Sequence, residues 1–312
     1  MRELATIAVF ALAAALLPVF VSSGFVLNLA IMVLYSTLLG QAWNVLAGFG
    51  GQYSFGHALF FGTGAYASAA LQVHLGLNAW LALPIAVACG AAAGVLVGAL
   101  SFRYGLRGSY FALVTLAFAE VFRILANSVE FTGGGVGLLL PLKGSAVEMQ
   151  FADKAGFLYL ILALVLAGFL LSWWLKRSRF GAWLAAVRDG EESAAALGVD
   201  VFRVKLAAIA ISAALMAAGG VFYVQYFHYI DPHIAYGPAV SVEALLGPIV
   251  GGLGTAFGPL LGAAVLQALG ELTRNLAGDL PGLSLVAYGV ALVAMVIFLP
   301  RGFAGLFARR GA

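Results

Sequence analysis

Lys176–Lys205 reads KRSRFGAWLAAVRDGEESAAALGVDVFRVK, and it carries ten charged residues: Lys176, Arg177, Arg179, Arg188, Asp189, Glu191, Glu192, Asp200, Arg203 and Lys205. The chain on either side is almost entirely apolar. Phe180, Trp183, Leu184 and Val187 recur at i, i+3, i+4, i+7, the spacing that gives a short helix one apolar face. Asp189 is placed to cap a second helix, with Glu192 three residues on completing a capping box. Glu191 and Glu192 then fall in its first turn, where the helix dipole favours negative charge. Gly198, tolerant of positive φ, is placed to end it. A polar helix–turn–helix inside an apolar chain meets something in water, either solvent alone or a partner.

The surrounding composition decides the class. Of 312 residues, 63% are hydrophobic and 9% charged, with a mean hydropathy of +1.04; a soluble domain carries roughly 25% charged residues. Continuous apolar runs of about 20 residues, enough to cross a bilayer, recur along the whole length. A membrane β-barrel would show short alternating segments instead. The expected fold class is all-α, a polytopic membrane helical bundle of about 8–10 spans with Gly-broken or re-entrant segments and an inverted repeat. Residues 1–312 form one membrane domain, with 176–205 a polar segment within it. The net charge of +3 reflects Lys and Arg that hold loops on the cytoplasmic side, not affinity for nucleic acid. Cys89, the single cysteine, lies in an apolar run and is expected to be a small buried residue. The first apolar run has no convincing cleavage site and is read as a retained span.

The spans read as Thr6–Val21, Phe25–Leu46, Ser54–Val73, Ala79–Ser101, Ser109–Ser128, Gly156–Leu175, Leu206–Phe227, Val242–Leu269 and Leu283–Leu299. An N-terminus inside the cell puts Arg103, Arg107 and the charged segment inside and Val129–Ala155 outside. The basic tail, Arg301, Arg309 and Arg310, belongs inside as well. Nine simple crossings would leave it outside, so one segment re-enters or splits in two. Val242–Leu269 is the candidate, because it holds Gly247, Gly251, Gly252, Gly254, Gly258 and Gly262 beside Pro248 and Pro259. Proline removes an amide donor, and glycine permits backbone that helices do not use. A matching cluster occurs earlier, at Gly48, Gly50, Gly51, Gly56, Gly62 and Gly64. Paired Gly-broken segments point to repeats around a translocation path; close helix packing through small residues is the alternative reading.

On an ideal helix Ser109, Glu120, Arg123 and Asn127 share an arc of about 60°. Glu120 and Arg123 are spaced to pair. Charges at that depth are expected to face the protein interior or a cavity, or else to pin a helix end at the outer water boundary. His228, Asp231 and His233, around Pro232, fit a turn better than a metal site. No metal-ligating or catalytic residue is assigned, and no GxxxxGK[ST] motif offers a phosphate cradle. His57 and His74 have no partner identifiable from sequence.

Asn44–Tyr66, NVLAGFGGQYSFGHALFFGTGAY, closely resembles the signature of LivM-type permeases. These are membrane subunits of bacterial ABC importers for branched-chain amino acids and related compounds, with urea and amide permeases as close relatives. LRGSYFALVTLAFAE at Leu106–Glu120, FTGGGVGL at Phe131–Leu138, Arg188–Lys205 and Gly247–Gly262 match it too, so the similarity runs from about Leu27 to Phe303. The resemblance implies that 176–205 is a cytoplasmic coupling segment within a single permease domain. It assigns docking on an ATP-binding subunit to Arg188, Asp189, Glu191, Glu192, Ala195, Gly198, Arg203 and Lys205. The segment departs from the older EAA consensus of other ABC importers.

The resemblance further implies a homologous sister permease, two ATP-binding subunits that hold the ATP and Mg, and a periplasmic solute-binding protein. The last would dock on Phe131–Leu138 and Tyr229–Tyr236. The chain itself would need no cofactor and would not be an enzyme. It would be a multi-pass protein of the bacterial inner membrane with both termini cytoplasmic. The translocation path is assigned to Gly50, Gly51, Ser54, His57, Ser109, Glu120, Arg123, Gly251 and Gly252. The alternative is an ion-gradient-driven secondary transporter or channel with Glu120 as its relay. A scaffold without a path is disfavoured by the paired Gly-broken segments.

Overall fold

Lipid offers no hydrogen bonds, so each apolar run satisfies its backbone internally and coils into a helix. In the computed structural model, residues 2–21 and 23–277 are described, with isolated positions beyond. The long helices are α1 (Arg2–Phe20), α2 (Gly24–Asn44), α3 (His57–Leu75), α4 (Ala79–Arg103), α5 (Gly108–Ser128) and α6 (Lys154–Leu175). The charged segment follows as two short helices, α7 (Arg179–Asp189) and α8 (Glu191–Ala196). Then come α9 (Val201–Phe227), the short α10 (Pro232–Tyr236), α11 (Pro238–Gly251) and α12 (Gly258–Ala277). Seven helical stretches among the described residues are long and apolar enough to cross a membrane; α10 and α11 together make one of them. The chain is an all-α polytopic membrane protein.

Val242–Leu269 is not one span. It divides into α11 and α12, which reverse direction at residues 252–257 and pack on one another. The Gly and Pro content anticipated that split. Ser54–Val73 begins as a helix only at His57, because α2 passes through a π-helical turn at Val45–Phe49 and then runs non-helically to Gly56. Cys89 is exposed on α4 rather than buried. The buried face of α4 is taken by Gly90, Gly94 and Gly98, whose four-residue spacing lets α9 approach at Ala217, Ala213 and Ile209, the small-residue packing of membrane helices. Cys89 therefore points away from that contact. The span read at Leu283–Leu299 and the basic tail lie outside the described residues.

The packing maps onto itself. α3 and α4 pack on α9 as α11 and α12 pack on α2; α3 packs on α4 as α11 packs on α12. The two middles, α2 and α9, run in opposite directions. α2 starts beside α6, where Lys154 Nζ donates to the Gly24 carbonyl (2.9 Å), and finishes near Arg188, which reaches the Gly48 carbonyl (3.4 Å). α9 starts at the charged segment and ends at the strand β2 (Tyr229–Ile230), which pairs antiparallel with β1 (Leu138–Leu139). Opposed directions with exchanged neighbours are the pattern of an inverted repeat.

Candidate functional site

Ser178 starts α7 by accepting the Gly181 amide (3.0 Å). The expected capping box does not form. α7 runs on through Asp189, which pairs with Arg188 (3.0 Å), and Gly190 begins α8 with extended backbone and no side-chain cap. Glu191 and Glu192 do lie in the first turn of α8, and Gly198, at φ +86°, follows its close at Leu197. Of the four residues read as the apolar face of α7, Leu184 and Val187 are buried. Leu184 seats against Gly50, and this rotates Trp183 outward to 48% exposure.

Glu191 turns into the bundle. Its side chain is 14% exposed and its carboxylate meets Lys205 Nζ at 2.8 Å and Arg107 Nε at 3.1 Å. Gln52 Nε2 donates to the same carboxylate at 3.2 Å. Lys205 is 3% exposed and lies over the Phe102 ring at 4.5 Å. One carboxylate thus ties the first turn of α8 to α9, to the α4–α5 connection and to the non-helical linker. Lys205 and Glu191, assigned by resemblance to docking, lie behind the surface. Burial leaves Lys205 no reach to a partner, whereas Glu192 is 90% exposed. Ala195, Gly198 and Arg203 are exposed with it. A groove of about 400 Å³ is lined by Gly51, Gln52, Arg107, Arg188, Glu191 and Glu192.

Both Gly-broken segments converge beneath this knob. Asn44, 1% exposed, accepts from the Gly254 amide (2.9 Å) and donates to the Thr255 carbonyl (3.0 Å). Arg188 Nη1 reaches the Gly48 carbonyl on the first segment and lies close to Gly254 on the second. Gly51 has φ +68°, and a Cβ there would lie 2.7 Å from Arg188 Cγ, so only glycine suits both the backbone and the space. Gly251 packs so closely on α12 that a Cβ would sit 1.8 Å from the Gly258 carbonyl oxygen. Gly252 follows at φ +130°.

Within the linker, burial alternates: Gln52, Ser54 and Gly56 point in, Tyr53 and Phe55 point out. Ser54 is fully buried; its carbonyl accepts from Trp43 Nε1 (2.8 Å) and its hydroxyl from the Gly56 amide (3.2 Å). His57 is fully buried too, with Nε2 2.9 Å from Ser212 Oγ. Ser212 gives its proton to the Ala42 carbonyl (2.6 Å), so His57 Nε2 is the donor. Ser54 and His57 therefore hold the irregular linker inside this chain's core rather than lining an open route. Ser109 is exposed and lines a cavity of about 390 Å³ with Tyr53 and Phe55.

Glu120 and Arg123 pair as their spacing requires, through Nε at 2.8 Å and Nη2 at 2.5 Å. Glu120 is exposed and the Arg123 side chain 23% exposed, so of the two expectations, facing the interior or a cavity or pinning a helix end at the outer boundary, a place inside this chain's own core is excluded. The face of α5 packed inward is occupied by Phe111, Ala112, Thr115 and Ala119. Arg123 also lies 3.3 Å from His233 Nδ1 on α10. At the end of the bundle remote from the knob, Asp231 caps α10 by accepting the His233 and Ile234 amides (2.8 and 2.9 Å), with Pro232 in the first turn. His228, at φ +58°, makes the preceding turn, and partial burial holds its imidazole below the usual histidine range. The two stretches grouped from sequence as one outer surface, Phe131–Leu138 and Tyr229–Tyr236, do meet: Leu138 pairs with Ile230.

Sequence reasoning overlooked Asn44, Gln52 and Arg107 as connectors. Asn44 opens the quoted signature, and Gln52 is a polar residue among glycines and aromatics. Both signals were present but had no partner to give them meaning. Arg107 was used only to orient the chain.

A membrane bundle of opposed halves, each broken by glycine and both seated on one polar knob, defines the class of multi-pass transport permeases. The chain belongs to the family described as branched-chain amino acid transport system / permease component, which matches residues 25–299. It is 33% identical over 310 residues to the high-affinity branched-chain amino acid transport system permease protein LivM of Escherichia coli (strain K12), covering 91% of this chain and 71% of that protein. It is 23% identical over 284 residues to the high-affinity branched-chain amino acid transport system permease protein LivH of the same organism, 86% of this chain and 90% of LivH. The fructose import permease protein FruF of Bifidobacterium longum is 26% identical over 212 residues, 66% and 58% of the two chains. The family comprises transport components, not enzymes.

Proposed function

We propose that this chain is the permease subunit of an ABC importer in the bacterial inner membrane. It moves branched-chain amino acids inward by alternating access that a partner ATPase drives. Family membership and the names of LivM and LivH support the substrate class. Similarity to both of those permeases supports pairing with a homologous sister subunit. The observation that carries the mechanism is the Glu191 carboxylate, held by three separate parts of the bundle.

In this reading Glu192, Ala195, Gly198 and Arg203 dock on one of two ATP-binding subunits, which hold ATP and Mg, in the cytoplasm. Closure of the ATPase pair pushes α8. Glu191 passes the push to α9 through Lys205, to α5 through Arg107 and to the broken linker through Gln52. Arg188 passes it to both broken segments at once. Packed elements with two discrete arrangements carry such displacements further than soft ones do. The exposed polar stripe of α5, Ser109, Glu120, Arg123 and Asn127, would be costly against lipid, so it faces the sister subunit or the route between the two. The paired outer segments around Leu138 and Ile230 receive a periplasmic binding protein. Both termini lie in the cytoplasm.

Reconstitution in proteoliposomes with a sister permease, ATP-binding subunits and a solute-binding protein tests this. Leucine uptake is expected only with ATP on the knob side. Uptake that follows a proton or sodium gradient in this chain alone would contradict it.

A further inference from the structure

Glu243 is the only charged residue of Val242–Leu269, and none of the coupling contacts uses it. Ser36 Oγ donates to Glu243 Oε1 at 2.6 Å, and Gln267 Nε2 donates to Ser36 Oγ at 3.0 Å. The hydroxyl spends its one proton on the carboxylate and accepts the amide proton with a lone pair. The relay from α12 through α2 to α11 therefore ends on a carboxyl oxygen, and each link polarises the next. No described donor occupies the second carboxylate oxygen. Ser36, Glu243 and Gln267 open onto a cavity of about 510 Å³ whose wall is Val242, Leu246 and Leu266. That volume is within the roughly 300–1,000 Å³ of small-molecule pockets.

We infer that this cavity binds the solute during passage, with Glu243 receiving its primary ammonium group and the aliphatic wall receiving its side chain. The inference rests on the substrate class proposed above. A clasp that only joined α2, α11 and α12 would need an acceptor, not a charge: glutamine at 243 would take the Ser36 proton as well. A carboxylate at membrane depth is costly and is retained where a cation meets it, and a charged acceptor makes the stronger hydrogen bond to an ammonium. A carboxylate beside an apolar wall complements the ammonium and the aliphatic side chain that an amino acid of this class carries on one carbon.

Carbodiimide labelling of the assembled transporter in nanodiscs tests the site. Dicyclohexylcarbodiimide modification of Glu243 is followed by mass spectrometry of its peptide. Leucine is expected to slow modification roughly fivefold at a concentration about four times its Kd. 4-Methylpentanoate, which has the same side chain and carboxylate without the ammonium, gives no protection. Equal modification with and without leucine overturns the site, and equal protection by both compounds overturns the role of Glu243. As a second arm, Glu243→Gln keeps the wild-type melting temperature and complex yield while the maximal uptake rate with saturating binding protein falls; an unchanged rate overturns the inference. Wild-type leucine uptake with an unprotected Glu243 removes this inference alone, whereas a wild-type transporter that imports no leucine removes the substrate reading and this one with it.

Discussion

Removing the Glu191 carboxylate leaves Lys205, 3% exposed, without the anion that compensates its burial. Breaking one side of a buried pair costs about 3–5 kcal/mol, while replacing both partners with apolar groups costs far less. Glu191→Ala is therefore expected to lower the melting temperature of the purified subunit sharply, and Glu191→Ala with Lys205→Met to restore most of the loss. Additive losses would mean that the pair bears no load. Glu192→Lys, on the exposed side of the same turn, should leave stability within about 0.5 kcal/mol and instead lower the yield of co-purified ATPase. The two neighbours thus separate transmission from docking, which adjacent letters in a sequence cannot do. Glu120 with Arg123 was legible because three residues on a helix fix their proximity. Glu191 with Lys205 was not, because the turn between α8 and α9 decides whether the Glu191 carboxylate meets the Lys205 ammonium.

At the scale of elements, two substitutions separate packing from capping. Gly251→Leu drives a side chain into the Gly258 carbonyl and should part α11 from α12. Overpacking costs about 1–3 kcal/mol, read as a lower melting temperature together with reduced uptake; wild-type uptake would mean that these helices have room between them. Asp231→Ala removes the carboxylate oxygen that accepts the His233 and Ile234 amides at the start of α10, and a lost N-cap costs about 1 kcal/mol. Its effect should show as faster amide exchange at His233 and Ile234, with unchanged exchange around Glu191. The split of Val242–Leu269 was readable because Gly and Pro state directly where a helix cannot continue. The capping box at Asp189 failed because α7 continues through Asp189, whose charge Arg188 offsets at that helix end, and Gly190 opens α8 with no side-chain cap. Cys89 failed because an apolar run has two faces, and hydrophobicity alone does not tell the packed face from the lipid face.

For the whole molecule, the expectation of two opposed halves came from a pair of glycine clusters, and the exchange of neighbours around α2 and α9 gives it physical form. What composition could not supply was convergence: that both broken segments and the knob meet at Asn44 and Arg188 follows only from the packed helices. The central claim is that the 176–205 knob takes force from a nucleotide-binding subunit and hands it to the bundle. The most direct measurement places a cysteine at exposed Ala195, in a Cys89→Ser background, within the complete transporter in membrane vesicles. Thiol cross-linking should join this chain to the ATPase subunit, with a yield that changes when ATP is added. Labelling of that cysteine by an impermeant reagent from outside intact cells, or cross-linking indifferent to nucleotide, would contradict the account.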